Sequence, residues 1–409
     1  IQSVDKNLLI QSKQEQTQAL KSLLLTTQAK RYPTLDINLN ATRLKDVPTT
    51  QLHISALPGL NQPLPMGTRT NLSAALSVTY PIFTGFAISD NIEKAKLKII
   101  KNNLETTDLK RQLYLKISIL YANIFTINKT IQATKDSKIA ITDSYKKAKS
   151  MYDNGLINLA NLYKIEAQQY DIIAKLSTLE SQKEQLVETL HYITNIKTDI
   201  TSLPRLDLNM DSGALMRMAL MNREDIKALK TGLKIDNKDI SLANSQAYPQ
   251  IFLVGTIKKE GDDLNLNGNG YTNADQSYIG ASLRWNLFDG GAIKSEKEAA
   301  IYKKNAQRLY LQDYERSVTK DLHHALLTLE SLKTIKNATQ KELRSAKSYY
   351  ELTQGRFDNG LISADELSRA IADFADIKAK FEGTKANIFL QKCKIYLLCG
   401  ATVFMQHSS

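Results

Sequence analysis

Met151-Tyr152-Asp153-Asn154-Gly155-Leu156-Ile157 and Arg356-Phe357-Asp358-Asn359-Gly360-Leu361-Ile362 are one heptapeptide pattern written twice, 205 residues apart (356 − 151). At the same offset, Tyr80-Pro81-Ile82-Phe83-Thr84-Gly85-Phe86-Ala87 matches Trp285-Asn286-Leu287-Phe288-Asp289-Gly290-Gly291-Ala292. Upstream, Tyr32-Pro33-Thr34-Leu35 matches Tyr248-Pro249-Gln250-Ile251 at an offset of 216 (248 − 32). The first repeat therefore carries 11 more residues (216 − 205) between its first two blocks, and Pro204 marks the seam between repeats. A chain that repeats at fixed spacing builds one architectural unit twice, and the unit's elements decide the fold.

Each unit reads helix, strand, loop, strand, long helix, sharp turn, return helix. After Pro33, Leu35, Ile37, Leu39 and Ala41 alternate with Asp36, Asn38, Asn40 and Thr42, the period of a strand with one apolar and one wet face. Its partner alternates as Leu72, Ala74, Leu76, Val78, Tyr80 and Ile82 against Ser73, Ala75, Ser77 and Thr79. In the second repeat, Ile251, Leu253, Gly255 and Ile257 are expected to pair with Ile279, Ala281, Leu283, Trp285 and Leu287. A Pro-rich segment (Pro48, Pro58, Pro63, Pro65) and an Asn/Gly-rich one (Asn267-Gly268-Asn269-Gly270) supply the turn chemistry of two β-hairpins.

Neither Gly nor Pro interrupts the chain between Gly85 and Gly155, or between Gly291 and Gly355. About 65 helical residues rise roughly 100 Å. Apolar positions step by threes and fours through Leu113, Ile117, Leu120, Ile124, Ile127 and Ile131, a coiled-coil spacing. The return helix does so through Leu162, Ile165, Ile172, Leu176 and Leu179, and its copy through Leu367, Ala370, Phe374, Ile377 and Phe381.

The expected fold is α+β, mostly α: two tandem repeats, each a long coiled-coil helical hairpin with a β-hairpin. The first β-hairpin covers 33–84 with its loop at 46–69, and the second covers 249–289 with its loop at 259–277. Residues 1–32, 85–195, 210–248 and 290–400 are helical, with an inter-repeat segment at 196–222.

Composition narrows the function. No window holds the roughly 18 apolar residues of a spanning helix, but barrel strands alternate and leave hydropathy low. The net charge of +12 and pI near 9.3 come from Lys and Arg interleaved with Asp and Glu, without a basic stripe carrying aromatics. That is a solvated helix face, and nucleic acid is not the expected partner. Cys393 and Cys399 lie about 9 Å apart along a helix axis and on different faces, so both are expected to be unpaired. His323-His324 point about 100° apart on a helix, which spoils a two-ligand metal site. No Walker loop, zinc-protease motif or Cys-x-x-Cys is present, so neither an enzyme nor a cofactor is expected. The chain starts at Ile1 with no initiator Met and no leader, so any secretory signal is expected to have been removed.

Four strands with an apolar face need a hydrophobic partner, and lipid accepts strands only when every edge is closed. Since single-chain barrels begin at about eight strands, symmetric assembly is required. A trimer supplies twelve strands and twelve helical passes, a barrel continued by a helical cylinder. Tyr80 and Trp285, at matching strand ends, are the expected membrane-interface aromatics; the alternative is packing where strand meets helix. Two rivals stay open on residues alone: a water-soluble coiled-coil scaffold, which leaves the strands unexplained, and a nucleic-acid-binding coiled coil.

The Tyr-Pro-x-Leu block, the Tyr-Pro-Ile-Phe-x-Gly block opening the long helix, and the twin Asp-Asn-Gly-Leu-Ile turns resemble the TolC-like outer-membrane efflux proteins. The resemblance runs over essentially the whole chain, less the start of the first helix. It implies a homotrimer in the outer membrane of a Gram-negative-type cell, with a 12-stranded barrel continued by a periplasmic α-helical barrel. It also implies a passive exit duct partnered by a periplasmic adaptor and an inner-membrane pump. By this resemblance the tips Asp153, Asn154, Gly155, Leu156, Asp358, Asn359, Gly360 and Leu361 contact the adaptor. Acidic side chains just after the second turn ring the constriction, here Glu366 with Asp365 beside it. Where relatives carry a second acid one turn later, this chain has Arg369. Asn161, Phe357 and Ile362 occupy the positions of a polar latch, so closure is expected to rest on packing.

Overall fold

The computed structural model describes residues 2–51, 63–208 and 210–400; the part of the Pro-rich turn segment around Pro58 lies outside them. In chain order the elements are α1 (Gln2–Asp5), α2 (Leu8–Ala29), β1 (Thr34–Arg43), β2 (Thr49–Gln51), β3 (Pro63–Pro65), β4 (Thr70–Thr84), α3 (Ala87–Asp153) and α4 (Leu159–Thr194). The second half continues with α5 (Ser212–Asn222), α6 (Glu224–Ser245), β5 (Gln250–Gly261), β6 (Tyr278–Arg284), α7 (Ala292–Asp358) and α8 (Ala364–Leu398). The chain is mostly helical, and α3 and α7 each run for 67 residues. Among the described residues no helix is long and apolar enough to cross a membrane.

One compact unit comprises Gln18–Ile100 and Thr231–Arg308 and holds a four-stranded antiparallel sheet in the order β1-β4-β5-β6. Its register puts the alternating apolar residues on one face: Leu35 opposes Val78, Ile37 opposes Leu76, Leu76 opposes Ile257 and Leu253 opposes Ala281. The two hairpins, far apart in sequence, thus join through β4 and β5 into one sheet. The other face is polar, with Ser77 and Thr256 hydroxyls 3.2 Å apart across the strands.

The structure corrects the expected second hairpin. β6 ends at Arg284, opposite Gln250, so Trp285 and Leu287 leave the ladder. The next residue of β5's strand would be Pro249, which has no N–H to donate. The Trp285 indole instead donates to the Ala247 carbonyl at 3.1 Å. The Pro-rich loop of the first hairpin is also more than turns, because β2 and β3 pair as a small ribbon, with Thr50 opposite Leu64.

The strand-to-helix junction after β4 needs glycine. Gly85 has φ +61°, and a Cβ there would lie 2.5 Å from the Ser245 carbonyl oxygen. Phe86 follows, also left-handed at φ 70°, held edge-on by Phe83 (5.3 Å) and Tyr248 (6.0 Å).

Among the described residues the second unit comprises 2–17, Lys101–Lys230 and 309–400. One core gathers Leu113, Leu120 and Ile124 of α3 with Val187, Leu190 and Ile193 of α4, Ala386 and Leu397 of α8, and Ile10 of α2. Another joins Ile141 and Ala148 of α3, Leu162, Ile165 and Ile172 of α4, Phe357 of α7, and Ala364, Leu367 and Ile371 of α8. Both hairpin repeats share these cores, as their common three-and-four spacing requires. Cys393 and Cys399 are free and buried, and burial pushes both thiols up to about 11.

A buried charged joint binds the same unit, and periodicity gave no sign of it. The Arg111 Nε donates to Asp108 at 2.8 Å, and its NH2 reaches Asp225 at 3.2 Å. The helical stretch 210–248 breaks at Arg223, which turns extended (φ −62°, ψ 127°) and donates through Nε to Asp225 at 3.0 Å. The Tyr314 hydroxyl of α7 donates to the same carboxylate at 2.7 Å.

Candidate functional site

The two sharp turns are built alike from their sequence. After α3, the Gly155 N–H donates to the Tyr152 carbonyl and the Leu156 N–H to that of Met151, both at 2.8 Å. After α7, the Gly360 N–H donates to Phe357 and the Leu361 N–H to Arg356, both at 2.9 Å. This is the glycine-closed helix end that needs a left-handed residue, and the two φ values are +72° and +69°. Asn154 and Asn359 each donate back to the carbonyl four residues earlier, at 2.7 and 2.8 Å. Asn158 and Ser363 then cap the return helices, accepting from the Asn161 and Glu366 N–H groups.

The turns come together through side chains as well. Lys147 of α3 pairs with Asp358 at 2.7 Å, and Phe357 is only 2% exposed in the shared core, where Ile362 also packs. Two of the three expected latch positions are thus apolar and packed. By contrast Leu156 (70%) and Leu361 (67%) stand exposed at the apices, matched large apolar side chains without cover. In the first turn of α8, Asp365 is ion-paired to Arg369, while Asp365 and Glu366 also suit the positive end of the helix dipole. A structural role at the helix start therefore stands beside any role at an aperture. The described residues contain no group of three or more His, Cys, Asp or Glu placed to hold a metal ion.

In the sheet unit, Leu35, Ile37, Leu39, Ile257, Ile279 and Leu283 lie on the apolar face and are exposed, with Ile37 at 72%. Both outer edges, β1 and β6, lack a neighbour among the described residues. Tyr80 is 41% exposed on that face; Trp285 is exposed but tied by its N–H to Ala247. Period-2 counting missed further aromatics at the same end of the sheet: Tyr32, Phe86, Tyr248 and Phe288, the last 88% exposed. They flank the strands rather than belong to them. The signal available for Tyr32, Phe86 and Tyr248 was their position, each beside a Pro or Gly at a strand end; Phe288 lies four residues past β6 and carried no such signal.

The family model described as outer membrane efflux protein matches residues 3–195 and 215–400. The outer membrane protein TolC of Vibrio cholerae is 22% identical over 310 residues, covering 73% of this chain and 68% of that protein. The toxin and drug export protein A of Aggregatibacter actinomycetemcomitans is 24% identical over 260 residues, and the match spans 54% of its length. Among solved structures, the Campylobacter jejuni CmeC outer membrane channel superposes with a TM-score of 0.81 at 16% identity, covering 97% of this chain and 84% of that one. The fold, the duplicated turns and the family match over both repeats agree, and the chain belongs to the outer membrane efflux protein family.

Proposed function

We propose that three copies of this outer-membrane efflux channel protein close a twelve-stranded barrel in the outer membrane. The long helical hairpins then form a periplasmic tunnel, the exit duct of a tripartite system with an adaptor and an inner-membrane pump. The observation that carries the reading is the sheet: an exposed apolar face and two open edges are unstable in water and intolerable in lipid until edges meet. A soluble scaffold would have to cover that face, and the four strands have no other use for it. Tyr80, Trp285 and the flanking aromatics suit the membrane interface. Native mass spectrometry in detergent tests the assembly: a threefold mass is expected, and a stable folded monomer overturns the barrel.

The turns are the working end in this reading. Leu156 and Leu361, with Asp153, Asn154, Gly155, Asp358, Asn359 and Gly360 around them, meet the adaptor. Asp365 and Glu366, with Arg369 and Asn161 beside them, rim the constriction. Single-channel recordings of an Asp365→Ala/Glu366→Ala double variant check this. Changed conductance, selectivity or divalent-cation block is expected, and unchanged values put the constriction elsewhere.

A further inference from the structure

The internal repeat aligns two cations as well as two turns. Leu159-Ala160-Asn161-Leu162-Tyr163-Lys164 matches Ala364-Asp365-Glu366-Leu367-Ser368-Arg369 at the offset of 205 (369 − 164), so each return helix has a cation as its sixth residue. Their caps, Asn158 and Ser363, stand at the same offset. The buried stripes are matched too, Leu162 and Ile165 against Leu367 and Ala370, so Lys164 and Arg369 lie on equivalent flanks of their helices.

The surroundings of the two differ in one respect. Arg369, its side chain 72% exposed, is neutralised by Asp365 one turn earlier. Lys164 has Ala160 at that place, is exposed, and makes no ion pair among the described residues. Across these two helix starts, two carboxylates (Asp365, Glu366) meet two cations (Lys164, Arg369), and the formal sum is zero. With the Asp365–Arg369 pair internally compensated, Glu366 and Lys164 are the charges left over within these two six-residue starts.

We infer that Lys164 and Arg369 are charge-selectivity residues of the aperture, balancing its acids so that organic anions bearing carboxylate or similar groups pass as readily as cations. The inference rests on the reading that the turns form the constriction. Each exposed charge shifts the local concentration of a passing ion, and a ring of like charges at close quarters adds such shifts. One unit charge at about 8 Å in water is worth roughly 0.5 kcal/mol, a factor of about two to three in the partition of a monovalent ion.

The test is the reversal potential under a KCl gradient in planar bilayers, using purified channel that retains its oligomer on native gels. Wild type is expected to show a potassium-to-chloride permeability ratio near one. Because each charge moves cation and anion partition in opposite directions, Lys164→Gln/Arg369→Gln is expected to raise that ratio by about fivefold or more, and Asp365→Asn/Glu366→Gln to lower it. A strongly cation-selective wild type overturns the inference. So does a ratio that responds to the carboxylate pair but not to the lysine and arginine, an outcome that leaves the aperture reading standing. A ratio indifferent to both pairs overturns the inference together with that reading.

Discussion

The Arg111 guanidinium lies 3.2 Å from the Asp225 carboxylate, tying the middle of α3 to the start of α6 in a site where both side chains are almost fully buried. Arg223 and Tyr314 close on the same carboxylate, so three side chains share one buried negative charge, with Asp108 beside Arg111. Removing that charge leaves two buried guanidinium groups short of a partner. Asp225→Ala is expected to cost about 3–5 kcal/mol, read as a fall in thermal midpoint. The exposed pair Lys147–Asp358 is the control, since Lys147→Met should cost less than about 1 kcal/mol. Equal losses at the two sites would mean the joint is no stronger than a surface contact.

The same joint sets a pH window. Burial alone would raise the Asp225 carboxyl, but the Arg223 and Tyr314 hydrogen bonds and the Arg111 charge outweigh it and hold it below the usual carboxylate value. A depressed carboxylate stabilises the fold above its unfolded pKa of about 3.9, and that contribution is lost as pH falls through the folded value. Burial, with the Asp225 hydrogen bond, pushes the Tyr314 hydroxyl up to about 12. Its contribution is whole below the unfolded value of about 10 and disappears as pH rises toward the folded one. Stability measured against pH should therefore be level from about 5 to 9 and fall on both sides. Tyr314→Phe is expected to make the alkaline limb shallower, the raised Cys393 and Cys399 thiols keeping part of it, and to leave the acid limb in place.

Two aligned glycines should answer differently to the same substitution. Gly85→Ala meets both a left-handed backbone and the Ser245 carbonyl 2.5 Å from the new Cβ, whereas at Gly290 (φ +67°) the added carbon meets nothing within 4 Å. Gly290→Ala is expected to cost about 1–2 kcal/mol from the backbone alone, and Gly85→Ala clearly more. Thermal unfolding of the purified protein measures both, and a Gly85→Ala cost no larger than that of Gly290→Ala would show that the first junction yields to the clash.

The loop between β5 and β6 should face the outside of the cell. Asn269 accepts hydrogen bonds from the Tyr271 and Thr272 N–H groups, and Gly270 beyond it has open space around it. A short tag inserted after Gly270 is expected to be labelled on intact cells. Labelling only after the outer membrane is permeabilised would invert the topology.

Much of this architecture was legible because few residues carry it. Glycine and proline are absent across α3, so its length followed from their positions, and Gly155 and Gly360 announced the two turns. Strand faces were legible from Leu35, Ile37 and Leu39, since period 2 assigns sides without tertiary knowledge. The end of β6 was not: Trp285 continues the alternation, and only the proline across the ladder, visible once the register is known, removes it. Nor was the Arg111–Asp225 joint, whose members lie 114 residues apart and belong to no periodic pattern. At the turns, the cap and glycine geometry could be read locally, but Phe357 could be placed in the core only when four helices were seen to converge on it.

The uncovered β1 and β6 edges have a genetic consequence. In the trimeric reading, each edge completes a neighbour's ladder, so a chain damaged at one edge does harm beyond its own loss. If intact and damaged chains are made equally and mix at random, about one ring in eight is wholly intact. An edge lesion should then be dominant when expressed beside the normal copy, while a lesion that prevents folding altogether should be recessive.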